Sequence, residues 1–251
     1  MKSAFIDSSC SSIIIYVNSN LWEVLMLLDQ LSLCSPDYAH IRAILSGSYE
    51  TVLNTKETLI LHSDVSHVYA VETTNICESL LQKLYQLSPR LLETTNETLF
   101  QLLSCQNGIP FEHKYKCLQY TFPDMAEKDA HLELLHPSDL SYVIETYESE
   151  TYIRQLFSRN RLMGYYVNSV LIGYIAHHID GSIGALYVNP DYRKKGYGSS
   201  IIKAALSVFA DSPLFSQVIE DNHASIQLHE ALHAAKSDIK ICWLYNDGFS
   251  F

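Results

Sequence analysis

The sequence predicts an α/β (α+β) protein with a mixed, mostly antiparallel central sheet flanked by helices, preceded by a smaller α/β N-terminal domain. In the C-terminal half, short apolar segments of strand length alternate with longer segments of helical spacing. Asn168-Ser169 and Asp180-Gly181 separate apolar segments there, and both pairs are typical of hairpins between antiparallel strands. These observations favour a sheet built largely from neighbouring antiparallel strands.

Glycine usage changes along the chain and indicates a domain boundary. Residues 1–129 contain two glycines, whereas residues 164–198 contain six. Residues 122–129 combine a Phe-Pro-Asp turn with a charged Glu-Lys-Asp run, which is a linker composition. We therefore predict an N-terminal α/β domain over residues 1–128 and a second domain over residues 129–251.

The N-terminal part is predicted from apolar spacing, alternation and helix-ending residues. Its predicted strands are Ile13–Val17, Thr58–His62, His67–Val71 and Lys114–Phe122. Its predicted helices are residues 21–31, Tyr38–Leu45, Ile76–Leu87, which stops at Ser88-Pro89, and Glu97–Cys105, which Asn107-Gly108 closes. We find no catalytic constellation in this part of the sequence.

The C-terminal part follows the order strand, two helices, three strands, then helix and strand twice. Its predicted strands are His131–Leu135, Leu162–Val167, Val170–His178, Ile183–Val188, Leu214–Glu220 and Ile239–Tyr245. Its predicted helices are residues 137–148, Thr151–Phe157, a helix capped by Ser199 or Ser200, and His223–His233.

One stretch organises this part: a strand, a basic turn with two glycines, and a helix. The strand Ile183–Val188 ends at Asn189-Pro190-Asp191, because proline cannot continue the ladder of hydrogen bonds. Glycines in the turn Arg193–Gly198 let backbone N–H groups face outward just before the helix. Those groups, the helix dipole and the adjacent cations predict an anion site, most naturally for a pyrophosphate.

The spacing R-x-x-G-x-G of this turn resembles the acyl-CoA loop of the GNAT superfamily of N-acetyltransferases. The preceding Asn-Pro-Asp-Tyr and the order of elements over residues 130–251 match that fold as well. The alternative interpretation is an ordinary strand-to-helix turn with a solvated basic tip. We favour the resemblance because the elements on both sides of the turn agree with it.

The resemblance implies acetyl-CoA as co-substrate and no metal. Residues 186–188 would pair with the pantetheine arm as if it were a further strand. The alternative interpretation is that they form only a strand of the core. Residues 194–199 would hold the pyrophosphate, and Arg193 would brace the turn or meet a phosphate. The implied cofactor-binding residues are Leu186, Tyr187, Val188, Arg193, Lys194, Lys195, Gly196, Tyr197, Gly198, Ser199 and Asn222.

Residues 222–230 resemble the family signature N-x-x-[AS]-x-x-L-[YH]-E. Asn222 would contact the pantetheine arm and can also cap the helix that follows, because capping uses only the side-chain oxygen. His229 lies two helical turns later and would protonate the leaving thiolate. Its alternative role is that of a packed helix histidine.

The implied reaction is direct attack of a primary amine on the thioester carbonyl, through a tetrahedral intermediate that collapses to release the thiol. The backbone N–H of Val188 would polarise the thioester carbonyl, as an oxyanion-hole donor does. Many family members carry a glutamate five residues before the asparagine, where this chain has Gln217. Glu220 points to the other strand face. The alternatives are Glu133 and a water chain that ends at a carbonyl or a histidine, and the base stays unassigned.

Two alternatives come from other classes of protein. A non-catalytic acyl-CoA sensor or interaction module would explain the missing glutamate at position 217. His229-Glu230-x-x-His233 matches the H-E-x-x-H pattern of zinc metalloproteases, but the chain after it offers no convincing third ligand. The family's usual Gly-Phe pair after this helix is also absent, and residues 231–235 (Ala-Leu-His-Ala-Ala) take its place.

Composition narrows the setting of the protein. The net charge of −11 argues against a nucleic-acid partner, because no basic patch lies outside the turn. The six cysteines are scattered and no stretch has the length of a membrane span or a signal peptide, so we expect a cytoplasmic protein without membrane attachment.

The N-terminal domain is interpreted as a degenerate GNAT-like half that shapes the acceptor cleft or a homodimer interface.

Overall fold

The computed structural model describes residues 36–105, 111–123, 128–147, 149–209 and 214–246. Within these residues the chain forms eleven strands and seven helices. The strands are β1 Tyr49–Asn54, β2 Thr58–Ser63, β3 Tyr69–Thr73, β4 Leu91–Thr94, β5 His113–Thr121, β6 Leu132–Leu134, β7 Leu162–Val167, β8 Val170–His177, β9 Ile183–Val188, β10 Phe215–Ile219 and β11 Ala235–Tyr245. The helices are α1 Ala39–Ser46, α2 Glu78–Leu87, α3 Glu97–Cys105, α4 Leu140–Thr146, α5 Glu150–Ser158, α6 Tyr197–Val208 and α7 His223–Ala231.

The predicted fold class is confirmed, because both sheets are mostly antiparallel and helices pack against them. The elements predicted over Ile13–Val17 and residues 21–31 lie outside the described residues, as does the Asn107-Gly108 helix end. No helix among the described residues has the length and apolar composition needed to span a bilayer.

The strands form two sheets that meet at one point. One sheet has seven strands in the order β1-β2-β3-β4-β11-β5-β10, and the other has four in the order β6-β7-β8-β9. A single parallel bridge between Ser182 and Phe215 joins them, at the start of β9 and β10. Beyond that bridge the two strands belong to different sheets, and we refer to the region between their separated ends as the cleft.

The N-terminal and C-terminal parts exchange strands within the larger sheet. β5 comes from the N-terminal part, yet it pairs with β10 from Phe215↔Thr121 to Ile219↔Cys117. β11, the last strand, pairs with both β5 and β4. The two parts predicted from glycine usage therefore share one continuous sheet.

The order of elements repeats along the chain. The series β2-β3-α2-β4-α3-β5 has the same sequence of strands and helices as β8-β9-α6-β10-α7-β11. The correspondence includes strand direction, because β3 pairs in parallel with β4, as the start of β9 does with β10. The chain thus repeats one order of strands and helices.

Separate apolar clusters lie under the helices. One lies between α6 and the strands of the smaller sheet, and another packs beneath α4 and α5 on its opposite face. Two more occupy the faces of the larger sheet, under α2 and α3 on one side and under α1 on the other. Both sheets are therefore covered on both faces, which is why several of their strands read as almost continuous apolar runs.

The structure corrects several predicted element boundaries. The helix expected to be capped by Ser199 or Ser200 starts at Tyr197, because Gly196 with φ +87° occupies the N-cap position. β1 and β4 form where the sequence predicted no strand. β4 has only four residues, and its pairing with β11 depends on residues about 150 positions away along the chain, which local patterns do not reveal. β11 begins at Ala235 rather than Ile239, and an irregularity between Lys236 and Lys240 interrupts its pairing.

Helix α7 ends at Ala231, two residues before the predicted end. The amide of Ala234 donates to the carbonyl of His229 at 3.1 Å, and His233 adopts φ +54°. This left-handed conformation is the one in which helices commonly place glycine. The expected Gly-Phe pair is absent here, so an exposed histidine carries the backbone strain instead.

His233→Gly should stabilise the protein by about 0.5–1 kcal/mol, because glycine adopts φ +54° without a Cβ clash. Urea denaturation of both proteins measures the difference. Asn160→Gly is the matched control, since Asn160 is exposed and has φ +56° after α5, and asparagine tolerates that conformation better. A His233→Gly protein less stable than the wild type would contradict the strain argument.

A group of ionisable side chains is buried between α1 and the larger sheet. His40 lies 3.3 Å from the carboxylate of Glu72, which also accepts hydrogen bonds from the amide and hydroxyl of Thr95. Burial raises the pKa of Glu93 to about 8, although His40 partly opposes the shift. Burial alone would lower the pKa of His40, but the carboxyls of Glu93 and Glu72 outweigh it and raise that pKa.

The contribution of Glu93 to stability should therefore fall as pH rises from about 4.5 to 8. Across this range the folded state keeps a proton on Glu93 that the unfolded state has lost, so this contribution should decrease by about 1 kcal/mol per pH unit. His177, His178 and His229, whose pKa values are lowered by burial, act in the opposite direction below about pH 6.5, so comparison with a variant is needed to isolate Glu93. Glu93→Gln mimics the protonated side chain and should flatten this dependence, whereas Glu50→Gln on the exposed strand β1 should not. Equal slopes for wild type and Glu93→Gln between pH 6 and 8, measured by urea denaturation, would refute the assignment.

Candidate active site

A bulge in β9 accompanies the divergence of the two sheets. Tyr187 is opposite Tyr174, whereas Gly184 is opposite Ala176, so β9 contains one more residue than β8 between these pairs. Ala185 lies within the bulge at φ +49°, a conformation that non-glycine residues seldom adopt. Bulges bend and twist a strand, and this one directs the end of β9 away from β10.

The backbone of Val188 faces the cleft. The amide of Asn189 donates to the carbonyl of Ile172 at 2.8 Å, which makes these two residues a hydrogen-bonded pair of the antiparallel ladder. Because such pairs alternate, the N–H and C=O of Val188 point away from β8. The carbonyl of Val188 accepts a hydrogen bond from Nε of Arg193 at 2.9 Å, which agrees with that orientation.

Gly173 permits the close approach of β8 and β9 at this point. A Cβ atom at position 173 would lie 2.3 Å from the carbonyl oxygen of Tyr187 and 3.2 Å from Cα of Val188. No side chain fits in that space, so a larger residue would displace the strand that carries Val188.

The basic turn is held by its own side chains. Asn189 accepts a hydrogen bond from the amide of Asp191 at 3.2 Å and thereby starts a turn of 3-10 helix over residues 190–192. Lys195 donates to the carbonyl of Asp191 at 2.9 Å, and its ammonium lies 5.3 Å from the ring of Tyr192. Arg193 lies 5.4 Å from the ring of Tyr187 while it holds the Val188 carbonyl. Two of the three cations therefore brace the turn.

The N-terminus of α6 presents unbonded amide groups. The first helical hydrogen bond runs from the amide of Ser200 to the carbonyl of Gly196 at 3.2 Å, so the amides of residues 197–199 precede it. Gly196 faces open space at φ +87°, whereas a Cβ at Gly198 would meet the side chain of Leu228 at 3.2 Å. The first glycine is thus required by backbone conformation and the second by packing against α7. These amides and the helix dipole have the orientation and charge that suit an anion.

Asn222 caps helix α7 with one atom of its side chain. Its Oδ1 accepts a hydrogen bond from the amide of Ser225 at 3.1 Å, and the residue is exposed. The capping interaction leaves its NH2 group available, as the sequence predicted. Leu228 places the first half of α7 beside Gly198, so Asn222 belongs to the same region as the start of α6.

His229 is buried beneath α7, with 4 % of its surface exposed. Its Nδ1 lies 2.7 Å from the carbonyl oxygen of Ser225, so this nitrogen carries the proton and donates it. Nε2 then accepts from the hydroxyl of Ser216 on β10, also at 2.7 Å. Burial lowers the pKa of His229, with partial compensation from the Ser225 carbonyl, and the ring packs against Tyr120 and Phe122 from the N-terminal part of the chain.

Gln217, which stands where the family's base is expected, and the two glutamates considered in its place all have other partners. Gln217 accepts a hydrogen bond from the indole N–H of Trp243. Glu220 pairs with Lys240 at 2.6 Å, and Glu133 lies 3.3 Å from His136 at the surface. None of these contacts places a carboxylate beside the Val188 amide.

Two tyrosines that the sequence analysis did not single out as a pair lie near the end of β9. Tyr187 contacts Tyr142 of α4, with 3.5 Å between their hydroxyl oxygens. Burial and this hydrogen bond raise the pKa of Tyr142 to about 12. Tyr142 has no recognisable motif, because its position depends on how α4 packs over the sheet.

The two histidines of the H-E-x-x-H pattern do not share a helix face. Helix α7 ends before His233, which is exposed, while His229 is held by two serines. Within the described part of the chain, no three potential ligands form a group that could hold a metal ion.

Residues 128–234 match the family model of the GNAT acetyltransferases. This part of the chain is therefore a GNAT acetyltransferase domain, and the predicted resemblance is confirmed. None of the curated proteins matches the sequence.

Three solved structures show the same fold at low sequence identity. A Drosophila protein is 17% identical, covering 91% of this chain and 89% of its own, with a TM-score of 0.56. A protein from Novosphingobium aromaticivorans assigned to the GNAT acetyltransferases is 12% identical, covers 84% and 99%, and has a TM-score of 0.54. A conserved Staphylococcus epidermidis protein of unknown function is also 12% identical, covering 79% and 94%, with a TM-score of 0.52.

Proposed function

We propose that this chain is an N-acyltransferase that moves an acetyl group from acetyl-CoA to a primary amine. The observation that carries the proposal is the amide of Val188 directed into the cleft, at the same end of β9 as the unbonded amides of α6. The amide of Val188 suits a carbonyl oxygen that gains negative charge, and the amides at the start of α6 suit a pyrophosphate.

The cofactor-binding roles follow from these positions. Residues 186–188 would pair with amide groups of the pantetheine arm, and the N–H groups at the start of α6 would bind the pyrophosphate. Arg193 and Lys195 hold the turn through hydrogen bonds to backbone carbonyls, while Lys194 is exposed and adds positive charge. Asn222 offers its free NH2 group to the arm.

Acetyl-CoA supplies an activated thioester, so that a C–N bond forms as the C–S bond breaks. The amide of Val188 stabilises the charge on the carbonyl oxygen. One proton leaves the amine and one reaches the thiolate. We assign this transfer to Ser216 and His229, because Nε2 of the neutral imidazole can take a proton through the serine hydroxyl and return it.

The amine would enter near Tyr142 and Tyr187. Tyr187 precedes Val188 on β9, and its hydroxyl oxygen lies 3.5 Å from that of Tyr142, so the pair offers hydroxyl oxygens that can accept hydrogen bonds from an amine. The N-terminal part is proposed to be a degenerate GNAT-like half, which the repeated order of strands and helices supports.

The second candidate function is an acyl-CoA sensor without turnover. Gln217 favours it, because this side chain cannot act as a base and is engaged by Trp243. The two functions share the cofactor site and differ in thiol release.

CoA binding is the first test and uses the full chain, because β5 contributes to the sheet of the GNAT domain. Gly196→Asp should weaken CoA binding at least about tenfold in calorimetry, since it adds strain at φ +87° and a negative charge beside the pyrophosphate. Gly47→Asp is the matched control, because Gly47 is exposed and has a negative φ. Equal affinity of all three proteins for CoA would remove the basis for the site.

Turnover is the second test and separates the enzyme from the sensor. Thiol release from acetyl-CoA is measured with amines, amino acids, polyamines, aminoglycosides and peptide N-termini as acceptors. His229→Gln should lower kcat at least about 100-fold without abolishing CoA binding, because glutamine preserves hydrogen bonding but carries no exchangeable imidazole proton. Ser225→Ala keeps the backbone carbonyl that orients His229 and serves as the control.

Unchanged turnover in a folded His229→Gln protein would assign His229 to packing alone. CoA binding without thiol release from any acceptor would support the sensor and contradict the transferase.

A further inference from the structure

A second cavity lies at the opposite end of β9 from Val188. Its volume is about 220 Å³, and it is enclosed by the end of α1, the turn between β2 and β3, and the turn between β8 and β9. Its polar lining comes from both the N-terminal and the C-terminal part of the chain. These polar residues are Ser46, Ser63, Ser66, Arg161, His177 and Asp180.

Two opposite charges face this cavity. Arg161 uses one guanidinium nitrogen to donate to the carbonyl of His178 at 2.8 Å, which leaves its other donors available. Asp180 accepts from the amide and hydroxyl of Ser182 through Oδ1, at 3.0 and 2.7 Å, so Oδ2 remains available. The two side chains form no ion pair with each other in the described structure, although they line the same space.

A buried hydroxyl in the wall of the cavity also lacks a partner. Ser66 is 1% exposed, and its Oγ makes no hydrogen bond to any described residue, although its amide donates to Ser63 Oγ at 3.2 Å. Nε2 of His177 is buried without a hydrogen-bond partner in the same part of the structure. An unsatisfied buried polar group is costly, so these atoms indicate a polar occupant.

The remaining wall is apolar. Ile44, Val65 and Ile179 line it, together with the last turn of α1, whose carbonyl end carries partial negative charge. A simple anion would face Asp180 and the helix terminus, and a metal cation would face Arg161. A molecule with both charges and a short apolar group satisfies all of these surfaces.

We propose that this cavity binds a zwitterion, a free α-amino acid with an aliphatic side chain. Its carboxylate lies against Arg161 and the hydroxyl of Ser66, and its ammonium lies against Asp180 and the end of α1. The aliphatic side chain packs on Ile44, Val65 and Ile179. This site is separate from the acyl-CoA cleft and does not depend on acyl transfer.

Calorimetry on the full chain tests the proposal with alanine, valine and leucine as probes. At least one of these amino acids should bind, whereas its N-acetyl derivative, which lacks the ammonium, and its amide, which lacks the carboxylate, should bind at least about tenfold more weakly. Failure of all three probes, or equal binding of an amino acid and both derivatives, would overturn the proposal.

Variants of the lining residues test whether the amino acid binds in this cavity. Arg161→Gln should weaken it at least about tenfold, and Ser66→Ala, which removes only the unpartnered hydroxyl, about threefold or more. Arg159→Gln is the matched control, since Arg159 is an exposed neighbour that does not line the cavity. Saturating CoA should leave the affinity unchanged. Binding that survives both Arg161→Gln and Ser66→Ala, or that Gly196→Asp abolishes, would place the amino acid elsewhere and refute the site.

Discussion

The divergence of β9 from β10 is the constraint on which the rest of the site depends. Adjacent parallel strands normally satisfy each other's backbone groups, yet these two share one bridge and then separate at the bulge around Ala185. The edge of β9 beyond the bulge therefore keeps the N–H of Val188 unpaired by strand neighbours. An open edge of this kind is a ready partner for an extended molecule with amide groups.

The N-terminal half offers an internal comparison, because its strands and helices follow the same order. β3 pairs with β4 through Tyr69↔Leu92 and Ala70↔Glu93, at the start of β3, much as Ser182 bridges to Phe215 at the start of β9. Asn96 caps α3 through Oδ1, as Asn222 caps α7, but its NH2 group donates to the carbonyl of Thr73 at 2.9 Å. In this half the NH2 group of the capping asparagine is therefore bound by the chain itself, whereas the NH2 group of Asn222 remains available. The short segment between β3 and α2 also lacks glycine and cations, so no anion site forms there.

Sequence reasoning predicted the parts of the fold that depend on local signals. β9 was predicted with its observed bounds, because Asn189-Pro190 ends it and glycine turns precede it. The start of α6 was misplaced, because only the observed φ of Gly196 shows that the glycine itself occupies the cap position. The exchange of β5 and β11 and the proximity of Ser216 to His229 depend on contacts between residues far apart in the chain, which periodicity cannot encode.

That exchange joins the two halves into one functional unit. β5 separates β10 from β11, so the sheet of the GNAT domain is incomplete without a strand from the N-terminal part. Tyr120 on β5, together with Phe122 just beyond it, packs against His229, and burial lowers the pKa of the imidazole. The N-terminal half thus shapes the surroundings of His229, although none of its described residues forms a hydrogen bond with the ring. Because Nε2 contacts the hydroxyl of Ser216, the proton transfer proposed for this pair depends on an environment that the other half of the chain builds.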